Sequence, residues 1–139
     1  MELPPRGIDF GAAEPVVCAD WKEGQAASLR RGVEVVAHEA DAAVLTLGDT
    51  PRITAQAIAR FADIAAEHRA HVRVRAVYDG RPGHPFVLGS AYFPRIAELR
   101  GDVGAREVLK QIGAVAIECG HLCSAVDVDT PEALEQLRG

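Results

Sequence analysis

One short apolar run constrains the fold more than any other part of the sequence. Residues 43–47, Ala-Val-Leu-Thr-Leu, lack polar alternation, which is typical of a strand covered on both faces in a parallel sheet. The run stops at Gly48-Asp49, and a helical pattern opens at Thr54 with Ile58 on its inner face. Ligands of open α/β sheets bind beyond the carboxyl ends of the strands. The sequence therefore predicts a layered α/β domain with a carboxylate at its functional edge.

The rest of the chain continues this alternation of strands and helices. Apolar spacing predicts helices over 24–39, from 54 onward, and over 90–99, 103–112 and 131–137, with Asp102 capping the fourth and Asp129 or Thr130 the last. Apolar runs and period-two alternation predict strands at 16–18, 43–47, 72–78, 86–88, 115–119 and 126–128. The order predicts one domain over 1–139, a three-layer α/β/α fold with a mostly parallel sheet. Residues 1–15 form an irregular lead-in.

Composition and charge narrow the class of protein. The chain is 48% hydrophobic and 25% charged, as in ordinary globular proteins, and its 20 acidic and 15 basic residues give a net charge of -5. Arginines over 69–75 alternate with apolar residues and look like one strand face, so nucleic acid is not an expected partner. No apolar run spans a bilayer and no signal segment opens the chain, so we expect no membrane association and a cytoplasmic location.

Three carboxylates are candidates for a metal site. Asp49 follows the strand at 43–47, and Asp127 and Asp129 lie between an extended piece and the last predicted helix. Hard oxygen ligands converging at one edge would suit Mg²⁺, which takes one or two carboxylates plus substrate phosphates. Each carboxylate also has a structural interpretation: Asp49 turns the chain or caps a helix, and Asp129 caps the terminal helix.

Five sequence blocks, in order, resemble the MobA-like nucleotidyltransferases. They read EGQAASLRRG (23–32), VLTLGDTPRIT (44–54), YDGRPGHPFVLG (78–89), LRGDVGAREVL (99–109) and VDVDTPEALEQL (126–137). Within that superfamily the chain is most similar to the molybdenum cofactor cytidylyltransferase branch. The resemblance implies a Rossmann-like fold that transfers a nucleotide from CTP or GTP to a phosphorylated, molybdopterin-type acceptor and releases pyrophosphate.

The resemblance also implies roles for individual residues. The catalytic and Mg²⁺-binding carboxylates would be Asp49 and Asp127, with Asp129 as a further metal ligand. The nucleotide-binding residues would be Gly24, Gln25, Ser28 and Gly48. The acceptor-binding residues would be His84, Asp102 and Arg106. Without the resemblance, the first nucleotide block is simply a helix N-terminus with a solvated Gln25, His84 is a turn histidine, and Asp102 is an N-cap.

The first twenty residues depart from the family pattern. Family members begin with a Gly-rich loop such as Leu-Ala-Ala-Gly-x-Ser-x-Arg-Met-Gly, whose amides and cations cradle the triphosphate, and nothing in residues 1–20 resembles it. The fold is thus expected to be N-terminally truncated relative to the family, and the isolated chain to be inactive. The chain is then an enzyme fragment, a non-catalytic binding or assembly module that keeps the acceptor side, or a sequence started at a downstream Met.

The same truncation would expose a sheet edge. The strand at 43–47 normally lies beside the family's first strand, and unpaired strand edges recruit other chains. We therefore expect a homodimer or a partner chain on this edge, or else the lead-in folded back over it.

Overall fold

The computed structural model describes residues 7–120 and 130–138. The helices are α1 (Gln25–Val36), α2 (Ala55–His68), α3 (Phe93–Ala97), α4 (Arg106–Ile112) and α5 (Pro131–Arg138). The strands are β1 (Ala42–Leu45), β2 (Arg73–Tyr78), β3 (Arg81–Gly89) and β4 (Val115–Glu118). Short 3-10 turns lie at Trp21–Glu23, Arg69–His71 and Ser90–Tyr92.

The four strands form one mixed sheet in the order β1-β3-β2-β4. β2 and β4 pair in parallel, whereas β3 is antiparallel to both of its neighbours. Three strands therefore share one direction, and the predicted α/β fold is confirmed. The direction of β3 follows from a two-residue turn: Asp79 and Gly80 have φ values of 50° and 81°, the left-handed pair typical of a tight hairpin.

Helices cover both faces of this sheet. On one face Phe61 of α2 packs against Val74, Ala76 and Val87. On the other face, side chains of α1, α3 and α4 pack against Phe86 and Leu88. Neighbouring residues of β3 point to opposite faces, so a single strand contributes to both cores and joins the three layers.

Of the helix caps expected from the sequence, Thr130 agrees with the structure and Asp102 differs. Thr54 accepts the N–H of Ala57 at 3.1 Å, and Thr130 accepts that of Ala133 at 3.1 Å, as expected of N-caps. Asp102 does not cap α4, which begins at Arg106 after Ala105. The segment before α4 remains irregular because it packs against the start of α1 instead.

Two further differences concern the strands. Residues 16–18 were expected to form a strand, but they are irregular: the run is only three residues long, and no strand of the sheet pairs with it. The expected extended piece at 126–128 lies outside the described residues. β1 is an edge strand, since its only partner in the described part of the chain is β3. No described helix combines the length and apolar character needed to cross a membrane.

Candidate functional site

A cavity of about 460 Å³ lies on the α1, α3 and α4 side of the sheet. Its lining includes Gln25 at the start of α1, His84 of β3, and Asp102 and Arg106 around the start of α4. These residues come from three of the sequence blocks that are far apart in the chain. All three of the predicted acceptor-binding residues therefore border one cavity, together with one of the predicted nucleotide-binding residues.

Residues 101–104 form one wall of the cavity and are hydrogen-bonded to the start of α1. Gly101 accepts the N–H of Ala26 at 3.2 Å, and the Asp102 carboxylate accepts the N–H of Gln25 at 3.3 Å. A Cβ on Gly104 would lie 2.3 Å from Oε1 of Gln25. Asp102 thus satisfies an otherwise unbonded N–H in the first turn of α1, a cap supplied by a distant segment.

Gly24 is required by this packing. Its φ of 116° and ψ of -175° lie in a region that essentially only glycine adopts, and a Cβ there would lie 2.5 Å from the carbonyl oxygen of Gly101. Gly24 lines neither this cavity nor the smaller one beside it. Its geometry supports a structural role, and its predicted contact with a nucleotide stays a prediction.

A smaller lobe of about 240 Å³ adjoins the first cavity along α1 and β1. Ser28, Leu29 and Gly32 of α1 form one side of it, and Leu45 and Leu47 form the other. Gln25 and His84 border both lobes. The site therefore combines a polar lobe with an adjoining apolar one, a pattern typical of small-molecule sites.

His84 lies where the two lobes meet. Its carbonyl oxygen accepts a hydrogen bond from the Tyr78 hydroxyl, which ties the two strands of the hairpin together. Its ring lies 5.3 Å from that of Phe86, centroid to centroid, at an interplanar angle of 51°. These contacts position the imidazole at the junction.

Sequence reasoning missed Arg75. Val74 and Ala76 of β2 are buried against α2, so Arg75 points to the opposite face and lines the larger cavity. Its Nε is buried without a hydrogen-bond partner. Burial lowers the pKa of Arg75, and the positive charge of Arg106 lowers it further. The alternation Val-Arg-Val-Arg looks like an exposed strand face, although in a three-layer fold both faces of an inner strand are covered.

Asp49 has an unsatisfied oxygen. Its Oδ1 is buried and has no hydrogen-bond partner. Asp49 lies within a turn that is closed by the Thr50 hydroxyl, which donates to the Leu47 carbonyl at 2.8 Å. Asp49 lines neither lobe, although Leu47 and Thr50 both border the larger one. A buried carboxylate oxygen without a donor fits a cation ligand, so Asp49 suits a divalent metal.

The remaining predicted metal ligands, Asp127 and Asp129, lie outside the described residues. Within residues 7–120 and 130–138, no group of three His, Cys, Asp or Glu side chains could hold a metal ion. Gly48 is exposed and borders neither lobe. The predicted convergence of the carboxylates and the nucleotide contact of Gly48 stay predictions.

Comparison with known proteins places this chain in a family. Residues 6–116 match the MobA-like NTP transferase domain. The chain belongs to the MobA-like NTP transferase family. It is 32% identical over 126 residues to the purine catabolism protein PucB of Bacillus subtilis (strain 168), a match that covers 88% of this chain and 60% of PucB.

Solved structures of mycobacterial proteins are similar in fold. A homologue of Rv0371c from Mycobacterium sp. strain JC1 is 32% identical with a TM-score of 0.64, over 79% of this chain and 55% of the homologue. Rv0371c of Mycobacterium tuberculosis H37Rv, solved as a complex with manganese, is 28% identical with a TM-score of 0.63, over 79% and 58% of the two chains. The chain thus spans somewhat over half the length of these relatives.

Proposed function

We propose that this chain carries the acceptor side of a nucleotidyltransferase that moves a nucleotide from CTP or GTP to a molybdopterin-type acceptor and releases pyrophosphate. The supporting observation is that His84, Asp102 and Arg106, from two separate blocks, border one cavity. Such a transfer needs little covalent chemistry from the protein. It depends on holding the acceptor oxygen in line with the α-phosphorus and on neutralising phosphate charge.

Within this proposal each part of the site has a task. The polar lobe holds the acceptor through Arg106, and the apolar lobe beside it receives the ring system. His84, which borders both lobes, contacts the acceptor between them. Asp49 holds Mg²⁺ or Mn²⁺ with Asp127 or Asp129 as a further ligand. The metal would neutralise charge on the nucleotide phosphates.

A second candidate function is a non-catalytic binding or assembly module. It is supported by the lining of the larger cavity, which includes all three residues assigned to the acceptor but only Gln25 of those assigned to the nucleotide. Without a phosphate cradle, a metal at Asp49 cannot by itself orient the α-phosphorus, and orientation is worth about 7–11 kcal/mol in such reactions. In this case the cavity would bind the acceptor without transferring a nucleotide to it.

Pyrophosphate release tests the proposal. The 139-residue chain is incubated with CTP or GTP, Mg²⁺ or Mn²⁺, and a molybdopterin-type acceptor, alone and with a polypeptide that carries the family's Gly-rich loop. We expect no turnover alone and turnover with the added polypeptide. Turnover by the chain alone near 1–1,000 per second would show that its own arginines replace the loop.

Acceptor binding, measured separately, distinguishes the two functions. Binding of the acceptor without turnover in any combination would favour the binding module over the enzyme. Absence of acceptor binding by the folded chain would contradict both, because both assign the acceptor to the same cavity.

A further inference from the structure

Arg75 occupies an unusual position for a charged residue. It pairs with Phe86 of β3 on one side and Ala116 of β4 on the other, so its backbone is held by both neighbouring strands. Its side chain lies on a sheet face that is covered by helices. Arg75 is half-buried, so its charge is only partly removed from water, but its buried Nε has no hydrogen-bond partner, which is costly.

No ion pair in the described part of the chain involves Arg75. Nε of Arg75 is buried without an acceptor, and no carboxylate forms an ion pair with Arg75 or Arg106 among residues 7–120 and 130–136. Asp102 and Glu107 supply negative charge at the same cavity, but neither forms an ion pair with Arg75 or Arg106, and the Asp102 carboxylate accepts the N–H of Gln25. Two guanidinium groups therefore share one cavity, and guanidinium stays protonated at any ordinary pH.

Arg73, on the same face of β2, has hydrogen-bond partners for its guanidinium group. It lies two residues earlier, is exposed, and donates to the Gly113 carbonyl at 3.3 Å and to the Tyr92 hydroxyl at 3.0 Å. Arg73 lines neither lobe. The lack of partners is thus particular to Arg75 and is not a general property of this strand.

We propose that Arg75, together with Arg106, binds a phosphate group of the acceptor and thereby selects phosphorylated acceptors over unphosphorylated ones. Planar guanidinium groups match phosphate oxygens in a bidentate geometry, and two of them can neutralise a dianion. The adjoining lobe lined by Leu29, Leu45 and Leu47 then holds an apolar or aromatic body. The inference deepens the proposed function by assigning selectivity for the phosphate to one residue.

Small probes test this without nucleotide or metal. Phenyl phosphate carries a ring and a phosphate, and benzyl alcohol carries a similar ring without the charge. Calorimetric or NMR titration should show that the wild-type chain binds phenyl phosphate more tightly than benzyl alcohol. Arg75→Met should weaken phenyl phosphate binding on the order of 10- to 100-fold, as expected for lost charged hydrogen bonds, and leave benzyl alcohol binding unchanged.

Two further variants separate the effect of charge from that of geometry and provide a control. Arg75→Lys keeps the charge without the planar pair of donors, so its affinity for phenyl phosphate should lie between those of wild type and Arg75→Met. Arg73→Met, the matched control on the same face, should bind both probes as wild type does. If Arg75→Met does not fold, Arg75→Lys and Arg106→Met decide the question by the same titrations.

Several results would overturn the inference. Equal affinity of the wild-type chain for both probes would do so, as would unchanged phenyl phosphate binding in folded Arg75→Met or an equal loss in Arg73→Met. These outcomes are separate from failure of the proposed function, because neither probe is a nucleotide acceptor. A chain that selects phenyl phosphate through Arg75 but supports no transfer would retain this inference and contradict the enzyme proposal.

Discussion

Replacing Gly24 with alanine should destabilise the fold through the contact between α1 and the segment before α4. The new Cβ would lie 2.5 Å from the Gly101 carbonyl oxygen, 2.6 Å from its carbonyl carbon and 2.7 Å from the Asp102 nitrogen. All three atoms belong to the backbone, so no side-chain rotation can relieve the overlap. The φ of 116° adds conformational strain for any residue with a Cβ.

The expected loss of folding stability has two contributions, the backbone strain and the disturbed contact with residues 101–102. An alanine in this backbone region costs about 1–3 kcal/mol, and moving residues 101–102 away breaks the hydrogen bond from Ala26 to Gly101, worth about 0.5–1.5 kcal/mol. Together they lower the free energy of unfolding by about 2–4 kcal/mol. At roughly 4 °C per kcal/mol for a domain of this size, Tm falls by about 8–16 °C.

Gly32 in the middle of α1 provides the matched control. A Cβ there meets no atom within 4 Å, so Gly32→Ala should raise the free energy of unfolding by about 0.5–1 kcal/mol through helix propensity. Urea unfolding followed by circular dichroism measures both variants. The reasoning is refuted if Gly24→Ala unfolds within about 0.5 kcal/mol of wild type, or if both substitutions shift stability in the same direction.

Three further predictions concern the metal ligand, a helix cap and the sheet edge. Asp49→Ala should abolish Mn²⁺-dependent binding of CTP or GTP in calorimetry without lowering Tm, whereas Asp63→Ala on the exposed face of α2 should retain it. Thr54→Ala should cost about 1 kcal/mol in urea unfolding, since it removes the cap of α2, and an unchanged midpoint would contradict this. Light scattering should detect a homodimer or a partner complex across β1; a strict monomer whose own chain protects β1 from hydrogen exchange would exclude both.

The sequence predicted those elements whose signals are local. The periodicity that predicted a helix from 54 onward agrees with α2, and the period-two alternation over 72–78 agrees with β2. The apolar run at 16–18 was misread because three residues carry too little pattern to separate a strand from an irregular segment. The early start expected for α4 was wrong because tertiary packing on α1 overrides the local preference of Asp102 for capping.

The candidate site was only partly predictable for a similar reason. His84, Asp102 and Arg106 followed from the family blocks, and the cavity that they border needed the structure. Arg75 lay in the alternating stretch at 69–75 but was not recognised as a site residue. Period-two alternation separates two strand faces without indicating which face a helix covers or where a cavity interrupts that cover. The orphaned oxygen of Asp49 likewise depends on the path of the chain around it.

The tight turn between β2 and β3 also has a consequence for the order of folding. Contacts across a two-residue turn have very low sequence separation, so the central hairpin can form before the edge strands dock on it. Arg75 and His84 both lie on this hairpin. We expect Gly80→Ala, which strains the turn, to slow refolding in stopped-flow experiments, whereas Gly24→Ala should mainly accelerate unfolding. The opposite pattern would contradict this order. The side of the cavity formed by Arg75 and His84 would then be among the first parts of the protein to form, and the covering helices would enclose it afterwards.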